Sequence, residues 1–173
     1  MMLDAVGLIE KHRSKGALID ANLLVLYMVG KTNIRRIQDF KPCDAFEIED
    51  FDRLAKLVEY LGKVFTTPHI LTEVSNLAKL RGNELSAFRQ IYKLAVEQMD
   101  EFCDESRAVV ADAAFMPLGL TDAAIALLQR ENVLVLTSDL DLWIALQQRG
   151  VDSVNFNHFR ALDWHLEPGQ RRV

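Results

Sequence analysis

The chain has 173 residues, half of them apolar, which suits one domain with a substantial core. Its 20 basic and 25 acidic residues leave a formal charge of −5, which argues against a polybasic nucleic-acid binder while permitting a local basic groove. Cys43 and Cys103 make neither a disulfide framework nor a zinc-ligand spacing, residues 1–16 lack the apolar core of a secretory leader, and the longest apolar run, Leu23 to Val29, is too short to span a bilayer. The expectation is a soluble, cytoplasmic protein without membrane contact.

Residues 1–15 predict a short amphipathic helix or a loose arm, closed by Gly16. Ala17–Asp20 reads as a short buried strand and Ala21–Val29 as an apolar helix. After Gly30, the stretch Lys31–Lys41 sets four basic residues against one acid. The acids Asp44, Glu47, Glu49, Asp50 and Asp52 follow, expected on a solvated loop and helix start. Phe51, Leu54, Leu57, Val58 and Leu61 recur at helical spacing, and Gly62 ends that helix. Val64–Thr67 is the next strand, and Pro68 opens a helix running to Leu80, since its missing N–H costs nothing in a first turn. Leu85, Phe88, Ile91, Tyr92, Ala95, Met99 and Phe102 form the longest amphipathic stripe, read as packing surface. Ala108–Val110 is a candidate minor strand. Pro117 and Gly119 mark a turn before Thr121, the expected N-cap of a helix to Arg130. Strand 133–137, helix 139–149 and a last strand near Val151–Val154 complete the alternation. Strands alternating with helices predict a parallel sheet sandwiched by helices.

Two strands in this order deliver carboxylates at their ends. Val133-Leu-Val-Leu-Thr-Ser-Asp-Leu-Asp141 ends in Asp139 and Asp141, and Ala17-Leu-Ile-Asp20 ends in Asp20. Open α/β sheets bind ligands in the crevice beyond the strand ends. Taken singly, Asp20 and Asp139 read equally well as helix N-caps, and Ser138 with Asp141 imitates a capping box. Asp122 complements a helix dipole. Glu73 shares a helical face with Ile70 and Leu77, where a carboxylate is costly unless paired, metal-bound or able to reach solvent; Lys79 and Arg81 are nearby partners. Taken together, Asp20 and Asp139 fall at strand ends on one sheet edge, and Glu73 and Asp122 lie in the first turns of helices that can start from that edge. No cysteine or histidine accompanies them, and an all-oxygen cluster suits Mg²⁺ or Mn²⁺ rather than zinc. Such a cluster fits metal-assisted attack of water on a phosphodiester; left unneutralised, it would raise its own pKa values.

Between Ala17 and Val154 the chain resembles the PIN domains, metal-dependent nucleases that include the toxins of VapBC toxin–antitoxin systems. The resemblance is carried by Leu18-Ile-Asp-Ala-Asn22, Thr67-Pro-His-Ile-Leu-Thr-Glu73, Gly119-Leu-Thr-Asp-Ala-Ala-Ile-Ala126 and Leu136-Thr-Ser-Asp-Leu-Asp141, in the family's order. It implies a three-layer fold with a central parallel sheet flanked by helices. It also implies that Asp20, Glu73, Asp122 and Asp139 are the catalytic, metal-holding quartet, with Asp141 an additional acid. Asn22, Thr137 and Ser138 then correspond to supporting positions. The implied activity is endoribonuclease, with Mg²⁺ or Mn²⁺ as cofactor, RNA as substrate and an antitoxin or regulatory protein as partner.

The chain exceeds a compact toxin of this family, with extra length between residues 30 and 62 and after Asn83. Lys31, Arg35 and Arg36 are candidates for phosphate contact, against the alternative of solvated helix charges. One domain is expected over 1–173, with a core at 17–154 and the segment 155–173 packed on it, on a second copy as a homodimer, or on a partner. His69 reads as a surface or capping residue, and His12, His158 and His165 share no ligand spacing. Trp143 is expected against the sheet, and Trp164 with Phe156 and Phe159 forms an aromatic tail before a loose Arg171-Arg172 end. The alternative function is a PIN-like binding or regulatory module with an unused metal site. A phosphotransferase ranks lower, because no Asp-x-Asp-x-Thr motif and no Gly-rich phosphate loop occurs.

Overall fold

The computed structural model describes residues 2–160. In chain order these form α1 (Met2–His12), β1 (Ala17–Ile19), α2 (Ala21–Thr32), α3 (Ile48–Leu61), β2 (Val64–Thr66), α4 (Pro68–Leu77), α5 (Gly82–Val96), β3 (Asp100–Glu101), α6 (Ser106–Ala111), α7 (Phe115–Ala126), β4 (Leu134–Thr137), α8 (Leu140–Gln148), β5 (Ser153–Asn155) and α9 (Phe156–Arg160). All strand pairings are parallel, in the order β3-β2-β1-β4-β5. The fold is therefore α/β, a parallel sheet flanked by helices, as the alternation predicts.

The chain steps outward from β1 to β2 and β3, then returns to lay β4 on the other side of β1 and β5 beyond it. Leu18 is thus paired with Phe65 on one side and Val135 on the other. Right-handed crossovers put the helices of the outward path on one face and those of the return path on the opposite face. Accordingly α2 packs against α3, α4 and α5, while α7 packs against α6 and α8. The strand order reverses between β1 and β4, and open α/β sheets bind ligands beyond the strand ends at such a reversal.

β1 and β4 read as unbroken apolar runs because both are interior strands covered on both faces, and every residue in them is buried. The α2 helix is buried almost all round, from Leu23 and Leu24 to Met28 and Val29. At Gly30 it meets α3 so closely that a Cβ would stand 2.2 Å from the Phe51 ring. The core runs from Ile9 to Phe159. Phe156 and Phe159 are buried in it, so the C-terminal segment packs back on the domain as far as Arg160. Trp164, His165, Arg171 and Arg172 lie outside the described residues. Among the described residues no helix is long and apolar enough to cross a membrane.

Several elements depart from the sequence expectation. Ala108–Val110 is helical, within α6, where Val109 is buried. The edge strand is instead the charged pair Asp100–Glu101, aligned by pairing with Phe65 and Thr66. The amphipathic stripe leaves the helix after Val96; Phe102 then stacks its ring on Phe65 at 5.0 Å and donates its N–H to the Thr66 carbonyl. Likewise α4 stops at Leu77, yet Ala78 and Leu80 stay buried beyond it. The last strand begins at Ser153 rather than Val151, and residues 34–43 form two 3₁₀ turns. Asp50, expected on a solvated stretch, is buried: it accepts from the Glu47 N–H at 2.9 Å and pairs with Arg53 at 3.2 Å and Arg160 at 2.7 Å. It thereby ties α9 to α3.

Candidate active site

The β1 strand ends directly before Asp20, and α2 starts directly after it. Asp20 Oδ1 accepts the Leu23 N–H at 2.8 Å, the N-cap bond anticipated for it. Its other oxygen faces the neighbouring strand end, where Oδ2 accepts the Thr137 hydroxyl at 2.5 Å and the Ser138 N–H at 2.9 Å. Thr137 Oγ1 in turn accepts the Asp139 N–H at 2.9 Å. A continuous chain of hydrogen bonds therefore runs from Asp139 through Thr137 to Asp20, across the β1/β4 reversal. Thr137 thus bonds Asp20 through its hydroxyl, and Ser138 through its backbone N–H rather than its side chain.

Asp139 caps α8 through the Leu142 N–H at 2.9 Å. The box anticipated between Ser138 and Asp141 does not form, because the cap falls one residue later and Asp141 stands exposed on the first turn of α8. Asn22 is likewise exposed, on the first turn of α2. On α4, Thr67 caps the helix by accepting the Ile70 N–H at 3.2 Å, and Glu73 is half-buried one turn further along. Asp122 lies on α7, in the part that follows the break at Gly119; the expected turn there is present, although the helical backbone resumes before Thr121. Gly119, at φ 80° and ψ −176°, breaks this helix and re-aims the turn bearing Asp122; few residues other than glycine adopt that conformation.

Electrostatics links the four predicted acids. Burial pushes the Asp122 carboxyl up from 3.8 to about 7, assisted by the charges of Asp139, Asp20 and Glu73. Asp20 is pushed up to about 6 by burial, against the lowering effect of the Thr137, Leu23 and Ser138 hydrogen bonds and with a further rise from Asp139. All three other acids therefore lie within electrostatic reach of Asp122. They are not drawn together: among the described residues no three His, Cys, Asp or Glu side chains stand close enough to hold an ion. Asp20 and Asp139 each commit one oxygen to capping a helix.

The donor set nonetheless fits a hard divalent cation. It is all oxygen, Asp20 uses three of about four lone-pair directions, and Asp139 uses one oxygen for its cap. The raised carboxyls of Asp20 and Asp122 are those a cation would return to the charged form.

The predicted phosphate-contact residues lie elsewhere. Lys31 is in the last turn of α2, roughly 16 Å along the axis from Asp20 at ~1.5 Å per residue, and its ammonium sits over the Tyr27 ring. Arg36 pairs with Glu84 at 3.4 Å and covers the Phe40 ring, and Arg35 is exposed on the same 3₁₀ turn. Trp143 meets the sheet as expected, its indole N–H donating to the Ser153 carbonyl at 3.4 Å.

Sequence reasoning missed a cleft of about 660 Å³ between α4 and α7. His69, Thr72, Glu73 and Asn76 line it from one face of α4, with Lys79 just beyond and Leu120 and Thr121 opposite. Their spacing of i, i+3, i+4 and i+7 around Glu73 was the available signal, readable only once α7 is known to face it. Compared with known proteins, the chain matches no protein-family model and no curated protein.

Proposed function

We propose that the protein is a PIN-like, metal-dependent endoribonuclease that hydrolyses RNA phosphodiester bonds. The observation that carries this reading is the hydrogen-bonded chain from Asp139 through Thr137 to Asp20 at the point where the sheet order reverses, with the half-buried Asp122 and with Glu73 within electrostatic reach of it. The four acids would hold Mg²⁺ or Mn²⁺, with Asp141 as a more exposed fifth. A bound ion supplies Lewis acidity, activating water for in-line attack and offsetting the phosphate's charge. Thr137 and the Ser138 N–H orient Asp20, and the cap bond to Leu142 orients Asp139. Hydrolysis leaves a 5′-phosphate on one product and a 3′-hydroxyl on the other.

The setting that fits this activity is a toxin–antitoxin or defence system, or RNA processing in the cytoplasm, with an antitoxin, a regulatory protein or a second copy as partner. The alternative is a binding or regulatory module whose site goes unused, favoured by the lack of three acids at ligating distance among the described residues. The presence of Asp20, Glu73, Asp122 and Asp139 together weighs against it.

The test is cleavage of a pooled, end-labelled RNA by purified protein in EDTA, Mg²⁺ or Mn²⁺, beside Asp20→Asn and Asp139→Asn. Metal-dependent cutting is expected, reduced at least ~100-fold by either substitution. Silence of the wild type in both metals, or cutting that survives both substitutions, would overturn the assignment.

A further inference from the structure

The cleft between α4 and α7 shares Glu73 with the acid cluster, and Thr121 on its far wall immediately precedes Asp122. A group seated in it would lie next to whatever the acids act on. Its lining combines an apolar wall at Leu77 and Leu120, an amide at Asn76, an imidazole at His69 and a cation at Lys79. The His69 Nδ1 atom is buried without a hydrogen-bond partner among the described residues. The cleft volume, about 660 Å³, is large enough for one nucleobase.

We infer that this cleft is a specificity subsite for one unpaired nucleobase of the RNA strand next to the scissile phosphate, with Asn76 reading the base edge. The inference rests on the nuclease reading and adds to it what the enzyme selects. Unpaired RNA is recognised by stacking a splayed base on a ring or apolar surface and hydrogen-bonding its edge. His69 and Leu120 provide the surface, and the Asn76 side chain offers both a donor and an acceptor. Lys79, exposed at the end of the cleft, meets a neighbouring phosphate and offsets the repulsion of the acids. Asn76 is exposed, so its replacement leaves the core intact.

The experiment measures binding rather than turnover. Asp139→Asn serves as the non-cutting background, and fluorescence anisotropy follows its binding to labelled 12-nucleotide homopolymers of A, C and U. The background is expected to prefer one homopolymer by roughly fivefold or more, and adding Asn76→Ala is expected to bring all three within about twofold. Adding Lys79→Gln should weaken all three alike and lower the salt slope by about one. An unchanged preference in Asn76→Ala overturns the subsite; if the wild type still cuts RNA with metal, the nuclease reading survives that result. Absence of binding to any homopolymer also overturns the subsite, and only accompanying failure of the cleavage assay removes the nuclease reading as well.

Discussion

At Asp20 one carboxylate caps α2, receives the Thr137 and Ser138 donors and lies within electrostatic reach of Asp139 and Asp122. Its burial, and that of Asp122, makes the charged form expensive, hence values of about 6 and about 7 against an ordinary 3.8. Because these folded-state values exceed the unfolded one, the native protein holds protons that the unfolded chain has already released. Their contribution to stability is full below about pH 4 and is lost as pH rises through 6 and 7. Asp112 acts oppositely: the Arg149 guanidinium, bonded to it through both nitrogens, holds it below the usual range, so its contribution disappears only in stronger acid. Metal-free protein should therefore melt roughly 5 °C higher at pH 5 than at pH 7.5. Asp122→Asn should flatten much of that slope. Thermal denaturation in EDTA across this range checks it, and an unchanged slope in the variant would remove Asp122 from the explanation.

Among the elements, β1, β2 and β4 were legible because each is a short apolar run ended by a turn or a capping residue. The two residues of β3 were not, since charged Asp100 and Glu101 have no strand propensity and pair only because Phe65 and Thr66 lie alongside. Val109 and Val110 misled in the opposite direction, as β-branched residues on a short helix held by packing against α7. Asp20 and Asp139 could be read because each follows a strand and caps a helix, whereas Glu73 falls in the second turn of α4 rather than the expected first turn, and Asp122 follows the break at Gly119. The cleft could not, because its second wall comes from α7, and no periodicity reveals which helix faces which. The same limit hid the contact of Gly30 with Phe51. There, an alanine Cβ would stand 2.2 Å from the ring. Gly30→Ala is expected to cost about 2 kcal/mol in urea unfolding, as overpacking does. In a Phe51→Leu background that cost should fall by half or more, and strict additivity of the two substitutions would contradict the proposed clash.

Across the whole molecule, strand order is what turns scattered carboxylates into neighbours. Asp20 and Asp139 are 119 positions apart in the chain yet joined through Thr137, because β4 inserts beside β1 after β2 and β3 have been laid on its other flank. The contact of α4 with α7 then brings in the helices bearing Glu73 and Asp122. The central claim is that these four acids are one divalent-cation site, and calorimetric titration of the metal-free protein with Mn²⁺ addresses it most directly. Saturable binding by the wild type, weakened at least ~10-fold in both Asp20→Asn and Asp122→Asn, is the predicted result. Absence of binding by the wild type, or equal binding by all three proteins, would contradict the account.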